Sequence, residues 1–177
     1  MTREPNARQY DRERLTVIYD TYHAPILRYI RWQVDDTETA RDLSADVFRR
    51  LLDAVRRERG PERDVRAWLY RTARNIVIDF YRKQQFRTHS ELFEHLTDNE
   101  PDPALLVDAT LSAEKLRAAI QQLTPEQRDV IILKFVEGLS NAETARIVDK
   151  PIGAVKSLQH RALAALQRTL APMELSA

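Results

Sequence analysis

The sequence predicts an all-α protein made of two small helical domains joined by an acidic flexible linker, the C-terminal one containing a helix-turn-helix. Three observations lead there. Apolar residues recur at three- and four-residue spacing along most of the chain, and no run alternates as a strand would. Three glycines in 177 residues leave little of the chain for the tight turns of a β protein. Between the two periodic halves, residues 88–110, THSELFEHLTDNEPDPALLVDAT, lose the pattern and are punctuated by Pro101 and Pro103. The domains are therefore expected over 10–87 and 111–172.

Composition narrows the function classes. Hydrophobic content of 43% and charged content of 31% mark a folded, water-soluble chain. No apolar stretch approaches the length of a membrane span, and the opening MTREPNARQYDRER has no apolar core of a signal peptide, so no membrane insertion and a cytoplasmic location are expected. Without cysteine there is no disulfide framework, Cys-based zinc site or thiol switch. The net charge of +1 hides segregation: residues 1–87 hold 19 basic and 14 acidic residues, 88–114 none and 7, 115–177 9 and 6. Two basic ends around an acidic middle suit a polyanionic partner.

Residues 1–9 are polar and unpatterned and are expected to fray. A first helix follows, with Leu15, Ile18, Tyr19 and Tyr22 on one face; past Pro25 the set Ile26, Leu27, Ile30 and Val34 keeps the helical spacing as far as Asp35 and Asp36. Those two acids suit the start of a second helix, because a carboxylate there accepts backbone N–H groups that lack a partner and complements the helix dipole. The second helix carries Ala40, Leu43, Val47, Leu51, Leu52 and Val55, with Asp42, Asp46 and Phe48 on its flank. A Phe beside carboxylates suits a partner protein if exposed; the periodicity fits burial in the core equally well.

Residues 56–64, RRERGPERD, form a charged break in which Gly60 and Pro61 are adjacent. A long helix is predicted over 65–85. Val65, Trp68, Leu69, Thr72, Ile76, Val77 and Phe80 make its core side, leaving Arg66, Tyr70, Arg71, Arg74, Asn75, Tyr81, Arg82 and Lys83. Aromatics interleaved with arginine and an amide can stack on unpaired bases while neutralising phosphates; a core aromatic stripe with ordinary surface arginines is the other reading. One short turn is expected at 91–96.

The second domain begins near Leu111, with Leu116, Ala119, Ile120 and Leu123 on one face. Thr124-Pro125-Glu126-Gln127 forms a capping box with proline at the first helical position, and the helix it starts, carrying Val130, Ile131, Leu133, Lys134, Phe135 and Val136, stops at Gly138. Ser140 and Glu143 form a second capping box, so a short helix begins at Asn141 and ends around Asp149 and Lys150, ahead of Pro151. Small Ala145 suits a close helix crossing, and Asp149 occupies a turn position where a positive φ usually calls for Gly. From Ile152 a last helix buries Val155, Leu158, Ala162, Leu163, Leu166 and Leu170. Its other face offers Lys156, Ser157, His160 and Arg161 in the first turns, hydrogen-bonding groups suited to phosphates and major-groove base edges.

Taken together, these segments resemble the extracytoplasmic-function sigma factors, the two-domain members of the sigma-70 superfamily, over roughly residues 10–170. The resemblance rests on Asp42-Leu43-Ser44-Ala45-Asp46-Val47-Phe48, on Trp68-Leu69-Tyr70-Arg71-Thr72-Ala73-Arg74-Asn75 followed by Ile78-Asp79, and on the run from Leu123-Thr124-Pro125-Glu126-Gln127-Arg128 through Glu137-Gly138-Leu139-Ser140 into the helix-turn-helix. It implies that Asp42, Leu43, Asp46, Val47 and Phe48 dock on the clamp helices of core RNA polymerase. The loop 59–64 and the following helix would engage the promoter minus-ten element, where a base is held out of the stack, through Arg66, Tyr70, Arg71, Arg74 and Asn75. Lys156, Ser157, Gln159, His160 and Arg161 would read the minus-thirty-five element as duplex. The acidic linker would run toward the active-site cleft and RNA exit path, and an anti-sigma protein is an expected partner. Ala45 stands where family members commonly have Gln, and Lys156-Ser157-Leu158-Gln159 where many read Lys-Ser-Arg-Leu.

Two other function classes fit less of the chain. An ordinary helix-turn-helix regulator would leave the aromatic helix and the acidic linker unexplained. An enzyme would need a site, and His23, His89, His95 and His160 are scattered, with no carboxylate cluster at metal spacing and no phosphate-cradling glycine loop. No catalytic residue, metal or cofactor is therefore expected.

Overall fold

Side-chain oxygens of Asp11, Asp36, Asp64, Thr124 and Ser140 start five helices of this chain, and apolar stripes then decide which faces meet. A computed structural model describes the backbone of residues 10–90 and 107–171, with side chains over 10–85 and 113–171. The chain divides into two compact units, Met1–Leu92 and Phe93–Ala177. All regular structure among the described residues is helical.

In the first unit, α1 (Arg12–Gln33) begins where Asp11 Oδ1 accepts the Arg14 N–H at 2.8 Å. Pro25 lies inside α1 without ending it. A proline there forfeits one backbone hydrogen bond and costs about 3 kcal/mol, which burial of Ile18 before it and Ile26, Tyr29 and Ile30 after it offsets. Helix α2 (Thr37–Arg56) is capped by Asp36, whose Oδ2 accepts the Thr39 N–H at 2.6 Å; these hydrogen bonds hold the Asp36 carboxyl below its usual range. Helix α3 (Val65–Ser90) starts on Asp64, which accepts the Ala67 N–H at 2.9 Å. The three pack around Ile26, Tyr29, Ile30 and Val34 of the α1 side, Ala40, Val47 and Leu51 of α2, and Leu69 and Ala73 of α3. Tyr81 donates its hydroxyl to the Gln33 carbonyl at 2.6 Å, fastening α3 to the end of α1.

Two residues expected in this core are outside it: Tyr19 is 46% and Leu52 41% exposed. Each sits at the edge of its helix stripe, where a helix crossing covers one side of a residue and leaves the other in water.

In the second unit, α4 (Val107–Gln121) is followed by α5 (Pro125–Ile131), α6 (Asn141–Val148) and α7 (Ile152–Leu170). Both capping boxes form with both bonds: Gln127 N–H to Thr124 Oγ1 at 3.3 Å with the return at 3.2 Å, and Glu143 N–H to Ser140 Oγ at 3.2 Å with the return at 2.8 Å. Past Ile131 the helix widens into a π-helical turn, Ile132–Val136, where the Glu137 N–H reaches the Ile132 carbonyl at 3.0 Å. Gly138, at φ 68°, closes it, and the Leu139 N–H returns to the Leu133 carbonyl at 2.9 Å. Val130 and Ile131 before the widened turn and Ile132 and Leu133 at its start are all buried, while Phe135 is 57% exposed. Arg128 donates from its guanidinium to the carbonyls of Ile120, Gln121 and Leu123 and so satisfies the end of α4.

Helix reaches into both ends of the segment expected as a linker, since α3 runs to Ser90 and α4 opens at Val107. The turn expected at 91–96 lies outside the described residues.

Asp149 ends α6 in the left-handed conformation, φ 55° and ψ 52°. Its own N–H and that of Lys150 both turn back to the Ala145 carbonyl. A side chain in that conformation costs about 1 kcal/mol more than Gly. Asp149→Gly is therefore expected to raise unfolding stability by about 0.5–1 kcal/mol, read as a higher urea midpoint. A lowered midpoint would mean that the Asp149 side chain contributes something beyond the turn.

Candidate nucleic-acid interface

Helix α6, the turn at Asp149–Pro151 and helix α7 form the predicted helix-turn-helix. Thr144, Ala145, Ile147 and Val148 of α6 are buried, as are Val155, Leu158, Ala162 and Leu166 of α7. Lys150 Nζ meets Glu126 Oε1 at 2.9 Å, tying the turn to the start of α5. With the apolar stripe inside, Lys156, Ser157, His160 and Arg161 are all exposed on the opposite face, while Gln159 is half-buried toward the edge. Leu163, expected inside, is 40% exposed.

Local hydrogen bonds shape this face. Ser157 donates its hydroxyl to the Gly153 carbonyl at 3.1 Å, and Arg161 Nε reaches the Ser157 carbonyl at 3.4 Å. Helix α7 carries Lys156, His160, Arg161 and Arg168 and not one carboxylate. No side chain caps its start at Pro151, so N–H groups of its first turn remain available to an anion, with Lys156 one turn on.

In the first unit the residues singled out on α3 separate. Arg71 and Asn75 are exposed, four residues apart, and Arg82 follows seven residues later on the same face. Arg66 and Arg74 are half-buried, and Arg66, Arg71 and Arg74 each already hold a partner. Tyr70 requires a correction: it is 2% exposed, with its ring edge-on to Tyr29 at a centroid distance of 5.6 Å. Position 70 falls between Leu69 and Ala73, so the helix turns it into the core, where it cannot meet a base.

The residues singled out on α2 separate in the same manner. Asp42 is exposed, and Leu43 and Asp46 are half-buried. Val47 is fully buried and belongs to the core, another correction, because it continues the Ala40–Ser44–Val47–Leu51 stripe. Phe48 is 7% exposed and forms the floor of a groove of about 560 Å³ between α1 and α2, where Tyr19 meets it edge-on at 5.0 Å and His23 lies at 6.2 Å. Leu27, Arg41, Ala45, Arg49 and Leu52 line the rest of it. Sequence reasoning missed Tyr19 and His23 here; their spacing of four on α1 was the available signal.

Asp46 accepts hydrogen bonds from both Arg49 and Arg50, at 2.9 Å from Arg49 Nε and 3.1 Å from Arg50 Nε. Partial burial works to raise the Asp46 pKa, but these bonds and the two positive charges prevail and hold the carboxyl below the usual range. Arg49 is correspondingly pushed up by its bond to Asp46.

Among the described residues no group of three or more His, Asp or Glu side chains is placed to hold a metal ion, and no helix is long and apolar enough to cross a membrane.

The family models for sigma-70 region 2 and sigma-70 region 4 match residues 18–87 and 113–166. Over 155 residues the chain is 39% identical to the ECF RNA polymerase sigma factor BldN of Streptomyces coelicolor, covering 86% of this chain and 59% of that longer protein. It is 33% identical to the ECF RNA polymerase sigma factor SigX of Bacillus subtilis, covering 88% of this chain and 83% of SigX. In fold it is similar to the sigma factor RpoE of Bartonella quintana, solved in complex with the anti-sigma factor NepR, with a TM-score of 0.72 at 22% identity over 88% of this chain and 96% of that one. CnrH, solved with the cytosolic domain of CnrY, gives 0.68 at 20% identity over 97% and 94%. By its sequence matches across both units, with a fold that agrees, the chain belongs to the ECF sigma factors of the sigma-70 family.

Proposed function

We propose that this chain is a promoter-specificity subunit: it binds core RNA polymerase, recognises the minus-ten and minus-thirty-five elements and directs transcription initiation, with no covalent chemistry of its own. The observation that carries the DNA half of this reading is the carboxylate-free, basic face of α7, presented by a helix-turn-helix whose α6 capping box and left-handed turn both form. Lys156 and Arg161 would meet phosphates, while Ser157, His160 and the edge residue Gln159 would address base edges in the minus-thirty-five duplex.

In the first unit, Arg71 and Asn75 would meet the opened minus-ten strand, with Arg66 and Arg74 behind them; Tyr70 supports that face from inside. On α2, Asp42, Leu43 and Asp46 with the Phe48-floored groove would dock on polymerase. The domain limits 10–87 and 111–172 go with this assignment, as do action in the cytoplasm beside polymerase and control by an anti-sigma protein.

Selection from a random duplex pool tests the reading. The chain bound to core polymerase is expected to enrich duplexes that share two motifs at fixed spacing, and the chain alone is not expected to enrich the pair. Equal enrichment with and without core would favour a polymerase-independent regulator.

A further inference from the structure

The loop between α2 and α3, residues 57–64, is almost all charge: Arg57, Glu58, Arg59, Glu62, Arg63 and Asp64. It has few apolar side chains of its own to fix its shape, yet Gly60 and Pro61 at its centre are buried. What covers them comes from the other end of the unit. Tyr10, just ahead of α1, is 5% exposed and donates its hydroxyl to the Pro61 carbonyl across 51 residues of sequence. Its ring lies so close to Gly60 that a Cβ there would stand 3.2 Å from Tyr10 Cε2 and 3.0 Å from Val55 Cγ2. Arg14 lies 5.0 Å over the same ring. Burial pushes the Tyr10 phenol above its ordinary pKa against the charge of Arg14, so it is a donor throughout the physiological range.

The rest of the loop is anchored at its two ends. Arg59 N–H reaches the Ala54 carbonyl at 2.8 Å after Glu58 turns through φ 55°, and Asp64 caps α3. Tyr10 adds support at the middle through its bond to the Pro61 carbonyl and its ring against Gly60, and Arg59, Glu62 and Arg63 are exposed.

We infer that Tyr10 is the positioning residue for this loop as a reader of the opened minus-ten strand. The inference rests on the proposed minus-ten role of the first unit. A loop that holds an extruded base discriminates among bases only if its shape is set before the base arrives, since otherwise the ordering cost is charged to every base alike. Tyr10 sets that shape without touching DNA.

The test is binding of holoenzyme, made with the wild-type or Tyr10→Phe chain, to forked DNA with a short randomised single-stranded overhang, read as enrichment at each overhang position. Tyr10→Phe keeps the ring and leaves the buried Pro61 carbonyl without this donor, so the thermal midpoint should drop by a few degrees while assembly with core holds, and enrichment should fall about three- to tenfold at one or two positions only. Gly60→Ala, which displaces the same ring, should lose enrichment at the same positions. Wild-type enrichment retained by Tyr10→Phe would overturn the inference, and so would an equal fall at every position, which would show a merely structural role. A wild-type holoenzyme that enriches nothing in the overhang would instead refute the minus-ten reading itself, and the inference with it.

Discussion

Replacing Lys156 and Arg161 together by alanine is expected to cut affinity for minus-thirty-five duplex by roughly 10- to 100-fold and to lower the slope of log K against log salt by about two. Both side chains are exposed on the first three turns of α7, and no carboxylate on that helix competes for them. Each phosphate that is no longer neutralised takes about 0.9 off the slope, so either single substitution should give about half of the change. His160→Ala should behave differently. Its ring nitrogens would address base edges rather than phosphates, so its removal should relax sequence preference while leaving the slope nearly unchanged. Titrations of labelled duplex at several salt concentrations separate these outcomes. A double variant with an unchanged slope would place the DNA-facing side of this unit elsewhere than on α7.

Asp46→Arg is expected to weaken association with core polymerase by roughly 10- to 100-fold without unfolding the chain. Asp46 now organises two guanidiniums, and Arg49 lines the groove floored by Phe48. An arginine in its place would put three cations within two turns and release Arg49 and Arg50 from their fixed geometry. The cost to the helix itself is small, a few tenths of a kcal/mol for each repelling pair, because the arginines are 72% and 45% exposed. Helicity by circular dichroism and binding to minus-thirty-five duplex should therefore hold. A variant that assembled normally with core would remove this part of α2 from the docking surface.

The features legible in the sequence are those set by short-range chemistry. Thr124, Ser140 and Asp36 read as caps because a side-chain oxygen beside free N–H groups needs only three residues of context, and each cap forms. Asp149 reads as a left-handed turn residue because Pro151 has to end the helix nearby, and φ 55° is what it adopts. Less legible is anything that depends on which side of a helix its neighbours cover. Tyr70 is left off the apolar stripe of its helix by spacing yet lies in the core, since the periodicity of one helix does not say how wide a stripe its partners bury; Val47 is buried as its spacing predicts, and only the family resemblance put it on a docking surface. The π-helical turn at Ile132–Val136 is hidden because a run of apolar residues reads alike in either helix. The Arg128 cap on α4 and the Tyr10 support under the charged loop join residues eight and 51 positions apart, and no local pattern announces such pairs.

Transcription by purified core RNA polymerase with and without this chain, on a pool of random promoter-length duplexes, tests the role of promoter-specificity subunit most directly. Transcripts are expected that appear only when the chain is present and that share two spaced motifs upstream of their starts. Duplex binding by the chain with no transcript dependent on it, together with no association with core in a pull-down, would contradict that role.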